Sequence, residues 1–137
     1  MNKKNKPILS PMEHHDKWML IEDFTIQVNG YEITIQQGFI FDGASTPSIS
    51  WSLIGHPFDA DFIVAGLIHD GLYAEKALPR AICDDIFYTL LRRDGNGWGL
   101  SKIMYQAVNL FGAKYYGTNP QEKTLLSRVG EDAKLFL

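Results

Sequence analysis

Between Trp18 and Ile40 the apolar positions alternate, with Phe24, Ile26 and Val28 before Asn29-Gly30 and Tyr31, Ile33 and Ile35 after it. Alternation puts one face of each strand on a core, and Asn-Gly supplies positive φ at both centres of a primed two-residue turn, so an antiparallel β-hairpin is predicted. Past Trp51 the period changes. Gly55 and Pro57 mark a turn, Asp59 is the expected cap of a first helix, and Phe62, Ala65, Gly66, His69 and Tyr73 recur at helical spacing. A second helix is predicted from Leu78 to Arg93. Pro79 suits its first turn, Ile82, Cys83, Ile86, Phe87, Leu90 and Leu91 form its buried face, and Asp94-Gly95-Asn96-Gly97 stops it. Ser101 is the expected cap of a third helix, with Met104, Ala107, Val108 and Phe111 as its stripe and Gly117 with Pro120 closing it. Residues 121–137 read as a weaker amphipathic helix around Leu125, Leu126 and Val129, broken near Gly130.

The expected fold class is therefore α+β, an N-terminal antiparallel hairpin or small sheet packed against three to four helices. A chain of 137 residues is the size of one domain. Its expected division is a leader (1–17), a core (18–117) and a C-terminal helical tail (118–137). The longest run of purely apolar or glycine residues is Phe62 to Ile68, far short of the ~20 residues that cross a bilayer, so no transmembrane segment is expected. MNKKNKP carries the charge of a secretion signal, but Pro7, Pro11, Glu13 and His14 interrupt any apolar stretch after it, and no export signal is expected. A net charge of −3 argues against nucleic acid as a partner, although Lys3, Lys4 and Lys6 form a local cationic cluster. Cys83, the only cysteine, lies between Ile82 and Asp84 without a neighbouring cation and reads as core filler rather than nucleophile. His14-His15-Asp16 is a terminal histidine pair and is not taken as a metal site.

Candidate chemistry gathers in two signatures, FDGASTP from Phe41 to Pro47 and HDGLY from His69 to Tyr73. The first offers Asp42, Ser45 and Thr46 on a loop; the second sets His69 beside Asp70, with Tyr73 on the histidine's helix face and Asp70 turned about 100° away. If the second helix folds back on the first, Asp84 meets His69. A carboxylate on one imidazole nitrogen fixes the tautomer and raises the basicity of the other, as a general base acting on water or a hydroxyl requires. Ser45 or a water near Asp42 is the candidate target. The same groups also fit a satisfied buried polar network, and Asp42 and Ser45 also fit a turn and helix cap. Ser45 lacks the glycine pattern of a nucleophile elbow. Asp85 is expected to face solvent.

GFIFDGASTP, HDGLY and CDDIF together resemble the phage and prophage family called domain of unknown function 1353. Gly38, Phe39, Asp42, Gly43, Ala44, Ser45, Pro47 and Trp51 match its first block, His69, Asp70, Leu72 and Tyr73 its second, Asp84 and Phe87 its third, and Tyr105, Ala107 and Gly112 its last. The resemblance implies a phage origin, with the infected host cytoplasm or the virion as location. A weaker local likeness is to the catalytic helix of secretory phospholipase A-two type enzymes. It implies His69 as base, Asp70 as a cation ligand, Tyr73 as a supporting hydroxyl and Asp84 as the orienting carboxylate. Two expectations follow. One is a hydrolase in which His69, Asp84, Asp42 and Ser45 are catalytic and Tyr73, Thr46 and Trp51 support them. Asp70 and Asp42 would hold a divalent cation, calcium or zinc, and an ester or amide of the bacterial envelope would be cleaved. The other is a non-enzymatic tail, neck or other assembly component, contacting further virion proteins, in which the histidine network is structural. A small inhibitor of a host protein is a further alternative.

Overall fold

Asn29 and Gly30 adopt φ of 52° and 81°, the primed turn that their identity predicts, and join β3 (Phe24–Val28) to β4 (Tyr31–Ile35) in the expected hairpin. The structure is a computed structural model that describes residues 6–13, 17–42 and 61–129. Its α+β class is the expected one. The remaining strands are β1 (Leu9–Pro11), β2 (Trp18–Leu20), β5 (Ile40–Phe41) and β6 (Thr124–Arg128); the helices are α1 (Ile63–Glu75), α2 (Arg80–Arg93) and α3 (Trp98–Phe111), with a 3-10 turn over Gly112–Tyr115. Strands pair antiparallel in two three-stranded sheets of order β1-β2-β5 and β3-β4-β6. Within the hairpin Phe24, Ile26, Val28, Tyr31, Ile33 and Ile35 point into the core, while Thr25 bonds Thr34 and Gln27 bonds Glu32 across the outer face.

The C-terminal segment differs from expectation. Residues 124–128 form a strand, not a helical tail, and pair along the whole of β4 from Ile35↔Thr124 to Tyr31↔Arg128. Leu125 and Leu126 are adjacent rather than one turn apart, Pro120 and Gly130 leave little room for a helix, and the free edge of β4 supplies hydrogen bonds that the segment alone lacks. Tertiary pairing thus overrides weak local propensity. Ser101 is likewise not a cap: α3 begins at Trp98 behind Gly97, and Ser101 is buried inside it with its hydroxyl donating to Asn96 O at 3.4 Å. Pro79 sits one residue before α2 rather than in its first turn. Ser45, Thr46, Trp51, the Asp59 cap and His14-His15-Asp16 lie outside the described residues.

Helix α1 carries no polar face at all. Every residue from Val64 to Ala74 is buried, including His69 and Asp70, because the helix packs against α2, β4 and β6 at once. Gly71, the glycine of HDGLY, marks the closest approach. A Cβ there would collide with the Ile35 side chain and stand 3.2 Å from Thr124 Oγ1, which donates to Gly71 O at 2.8 Å. Helix, hairpin and C-terminal strand therefore meet at one glycine. Alanine at this position gains about 1 kcal/mol of helix propensity but overpacks a closed interface at about 1 to 3 kcal/mol. Gly71→Ala is accordingly expected to lower the melting temperature, as scanning calorimetry would read; a raised one would contradict the close approach.

Candidate functional site

Residue 69 lies in the middle of α1 and residue 84 in the first half of α2, and the packing of these two helices brings their side chains together. His69 Nε2 is 2.8 Å from Asp84 Oδ1, and Tyr73 OH donates to the same oxygen at 2.7 Å. A carboxylate only accepts, so Nε2 carries the imidazole proton and donates it, which leaves Nδ1 as the basic nitrogen. His69 and Asp84 are both 0% exposed. The imidazole lies against the Tyr73 ring, with centroids 4.1 Å apart, and against Phe87 at 4.8 Å. Sequence reasoning had brought His69, Tyr73 and Asp84 into one set. It missed Arg80.

Arg80 closes the network. Its Nη1 lies 3.7 Å from Asp84 Oδ2, one helical turn on, and donates to Tyr73 OH at 3.5 Å, to Val108 O at 3.1 Å and to Asn109 O at 3.2 Å; Nη2 donates to Asn109 O as well. The guanidinium thus ties the start of α2 to the last turn of α3, where exposed carbonyl lone pairs and the negative end of the helix dipole favour a cation. The i, i+4 spacing of Arg80 and Asp84 was the available signal.

Burial dominates the electrostatics. It lowers the His69 pKa below 6.5, outweighing the hydrogen bond and charge of Asp84, and Arg80 pushes in the same direction. The imidazole is therefore neutral at neutral pH. Burial also raises the Tyr73 phenol, with the Asp84 hydrogen bond adding to it, so the hydroxyl stays a donor. The Cys83 thiol is pushed up to about 12 by burial and donates to Leu78 O at 3.4 Å; it is core filler, as expected, and not a nucleophile. Asp85 is exposed and accepts from Tyr105 OH at 2.9 Å.

Asp42 and Asp70 sit elsewhere. Both line a pocket of about 60 Å³ whose remaining walls are Phe39, Ile40, Ala74, Tyr115, Thr118, Asn119 and Gln121; neither His69 nor Asp84 lines it. Gln121 is fixed there by a two-way bond with the Ile40 backbone, accepting at 2.8 Å and donating at 3.0 Å. Thr118, Asn119 and Gln121 were missed because their segment had been assigned to a helical tail. The pocket offers oxygen donors, which suit calcium rather than zinc, and zinc's nitrogen or sulfur ligands are not among them. Among the described residues there is no group of three or more histidine, cysteine or acidic side chains that could hold a metal. No helix among the described residues is long and apolar enough to cross a membrane.

The network from His69 to Asp84, with Arg80 at its edge, lies wholly within residues 18–108, the stretch matched by the model of the family described as "Protein of unknown function (DUF1353)". The chain belongs to the DUF1353 family. It is also similar to "Uncharacterized protein y4jT" of Sinorhizobium fredii (strain NBRC 101917 / NGR234), at 36% identity over 95 residues. Those residues are 68% of this chain and 28% of that protein, so the chain spans less than a third of its relative's length. No solved structure is significantly similar to it. The 3-10 turn, β6 and most of the pocket's polar wall lie beyond the family match, whereas the histidine network does not.

Two outcomes follow from this geometry. Asp84→Ala leaves a buried imidazole and phenol without their shared acceptor and is expected to cost about 3 to 5 kcal/mol in denaturant unfolding, whereas Tyr73→Phe, which removes one donor and keeps the ring, costs about 1 kcal/mol. The pH dependence has a definite sign. Because folding lowers the His69 pKa from 6.5, the unfolded chain takes up the proton first; this contribution to stability is full above pH 6.5 and lost as pH falls toward the folded value. Unfolding midpoints measured across this range are expected to fall on acidification, and less so in His69→Gln.

Proposed function

We propose that this chain is a binding or assembly module whose histidine network holds the helices together, rather than an enzyme. The observation that carries the reading is burial: His69 and Asp84 are both fully enclosed, and Phe87, whose ring lies against the imidazole, is fully buried as well. A reacting group needs a cleft. Neither His69 nor Asp84 lines the pocket over Asp42 and Asp70. The match to less than a third of a longer rhizobial protein supports a unit that works beside other segments. A phage particle, in its tail, neck or another assembly, is the setting we favour on the motif resemblance, with other virion proteins as partners.

A hydrolase is the second reading, favoured by one observation. A neutral imidazole held at 2.8 Å by a carboxylate is the arrangement of a general base, with Asp84 orienting the ring through Nε2 and Nδ1 as the nitrogen that would take a proton from water. On that reading Asp42 and Asp70 position the substrate, an ester or amide of the bacterial envelope, in the pocket they line.

His69→Gln separates the two. In the module reading the variant loses about 2 kcal/mol of stability, and neither parent nor variant hydrolyses p-nitrophenyl esters or peptidoglycan fragments above the buffer rate. Turnover by the parent that disappears in a variant of unchanged melting temperature would overturn the module reading and establish the hydrolase.

A further inference from the structure

The sheet of β1, β2 and β5 has two unlike faces. Leu20 and Phe41 lie on its inner face and are fully buried, whereas Met19 and Ile21 alternate with Leu20 and point outward. Register completes the outer face. Met19 pairs with Ile40 of β5, and Ile21 N donates to Ile8 O at 3.0 Å, so Ile8, Met19, Ile21 and Ile40 adjoin. Ile21 is 51% exposed, Ile8 46% and Met19 36%. Ile40 also lines the pocket of Asp42 and Asp70, which joins this apolar face to a pair of carboxylates.

We propose that this surface docks a segment of another protein, which lays apolar side chains over Ile8, Met19 and Ile21 and inserts a lysine or arginine into the pocket lined by Asp42 and Asp70. The inference rests on the module reading and names the chemistry of its partner. Charge decides the occupant. Asp70 is 8% exposed, and the pocket's described walls hold two carboxylates and no basic side chain, a setting in which a cationic side chain makes strong charge-assisted hydrogen bonds. Lys17, one position beyond Trp18 in the β2–β5 register, stands outside those walls. A metal ion fits less well. Gln121 spends its amide on the Ile40 backbone, and among the described residues no third acidic, histidine or cysteine side chain joins the carboxylates to complete a coordination shell. The same carboxylates repel an anionic lipid surface, and a second copy would bring two acidic pockets into one interface. A cavity of about 60 Å³ takes the end of one side chain rather than a whole ligand. Phe39 and Tyr115 line it beside the acids and suit the apolar stem of a long basic residue.

Titration of the full chain with acetylated, amidated tripeptides, followed by nitrogen-15 NMR, tests the proposal. The sequence Ile-Lys-Ile is expected to shift the amides of Met19, Ile21, Ile40, Asp70 and Gln121 at millimolar concentration, and Ile-Gln-Ile to bind about tenfold more weakly. Asp42→Asn should erase that preference for the cation, and Ile21→Ser should weaken both peptides alike. Added sodium chloride reads the charge without a substitution: it should weaken the lysine peptide and leave the glutamine peptide unchanged. Equal binding of the two peptides, no shift at millimolar peptide, or shifts that leave out Ile40 and Asp70 would each overturn the proposal. So would butylammonium that binds as tightly as the lysine peptide, which would assign the pocket to a free amine, or calcium chloride that displaces the peptide, which would assign it to a metal ion. The module reading itself fails by a different readout, ester turnover that His69→Gln abolishes.

Discussion

A carboxylate taken out of water costs several kcal/mol unless its oxygens are satisfied, and the interior of this protein is arranged around one such group. Asp84 is fully buried on α2, and its Oδ1 takes hydrogen bonds from the imidazole and the phenol that α1 presents one turn apart. Arg80 faces the other oxygen from 3.7 Å and holds the end of α3 with its remaining donors. Three helices are thus joined through one acid. That explains why α1 can be buried on every side while carrying a histidine and a tyrosine hydroxyl.

The sheets meet the same helix from its other side. Gly71 lets Ile35 of β4 and Thr124 of β6 reach the α1 backbone, and Thr124 completes the contact by bonding Gly71 O. In HDGLY the histidine and tyrosine therefore serve α2 and the glycine serves the sheet. The aspartate faces the pocket shared with Asp42. Four of the five residues in this pentapeptide thus address three different neighbours.

The hairpin was legible because Asn29-Gly30 and the alternation around it encode structure locally, and the three helices because their apolar residues recur at the helical period. The pairing of His69 with Asp84 was legible from two helices and a short connection. What escaped depended on distant partners. Leu125 and Leu126 reveal a strand only beside β4, Ser101 reads as a cap until Gly97 is seen to start the helix, and Arg80 looks like an ordinary surface cation until the carbonyls of Val108 and Asn109 are placed beside it. Asp42 was grouped with His69, whereas the structure groups it with Asp70 and with residues near 120 that sequence separation hides.

The central claim is that His69 is a neutral, enclosed imidazole donating from Nε2 to Asp84. Nitrogen-15 NMR of the histidine side chains, followed as pH is lowered through 6.5, tests it most directly. The account predicts one ring that keeps the Nε2–H tautomer below that pH, with a slowly exchanging proton. A His69 ring that titrates at or above 6.5, or whose proton exchanges as fast as that of an exposed histidine, would contradict it.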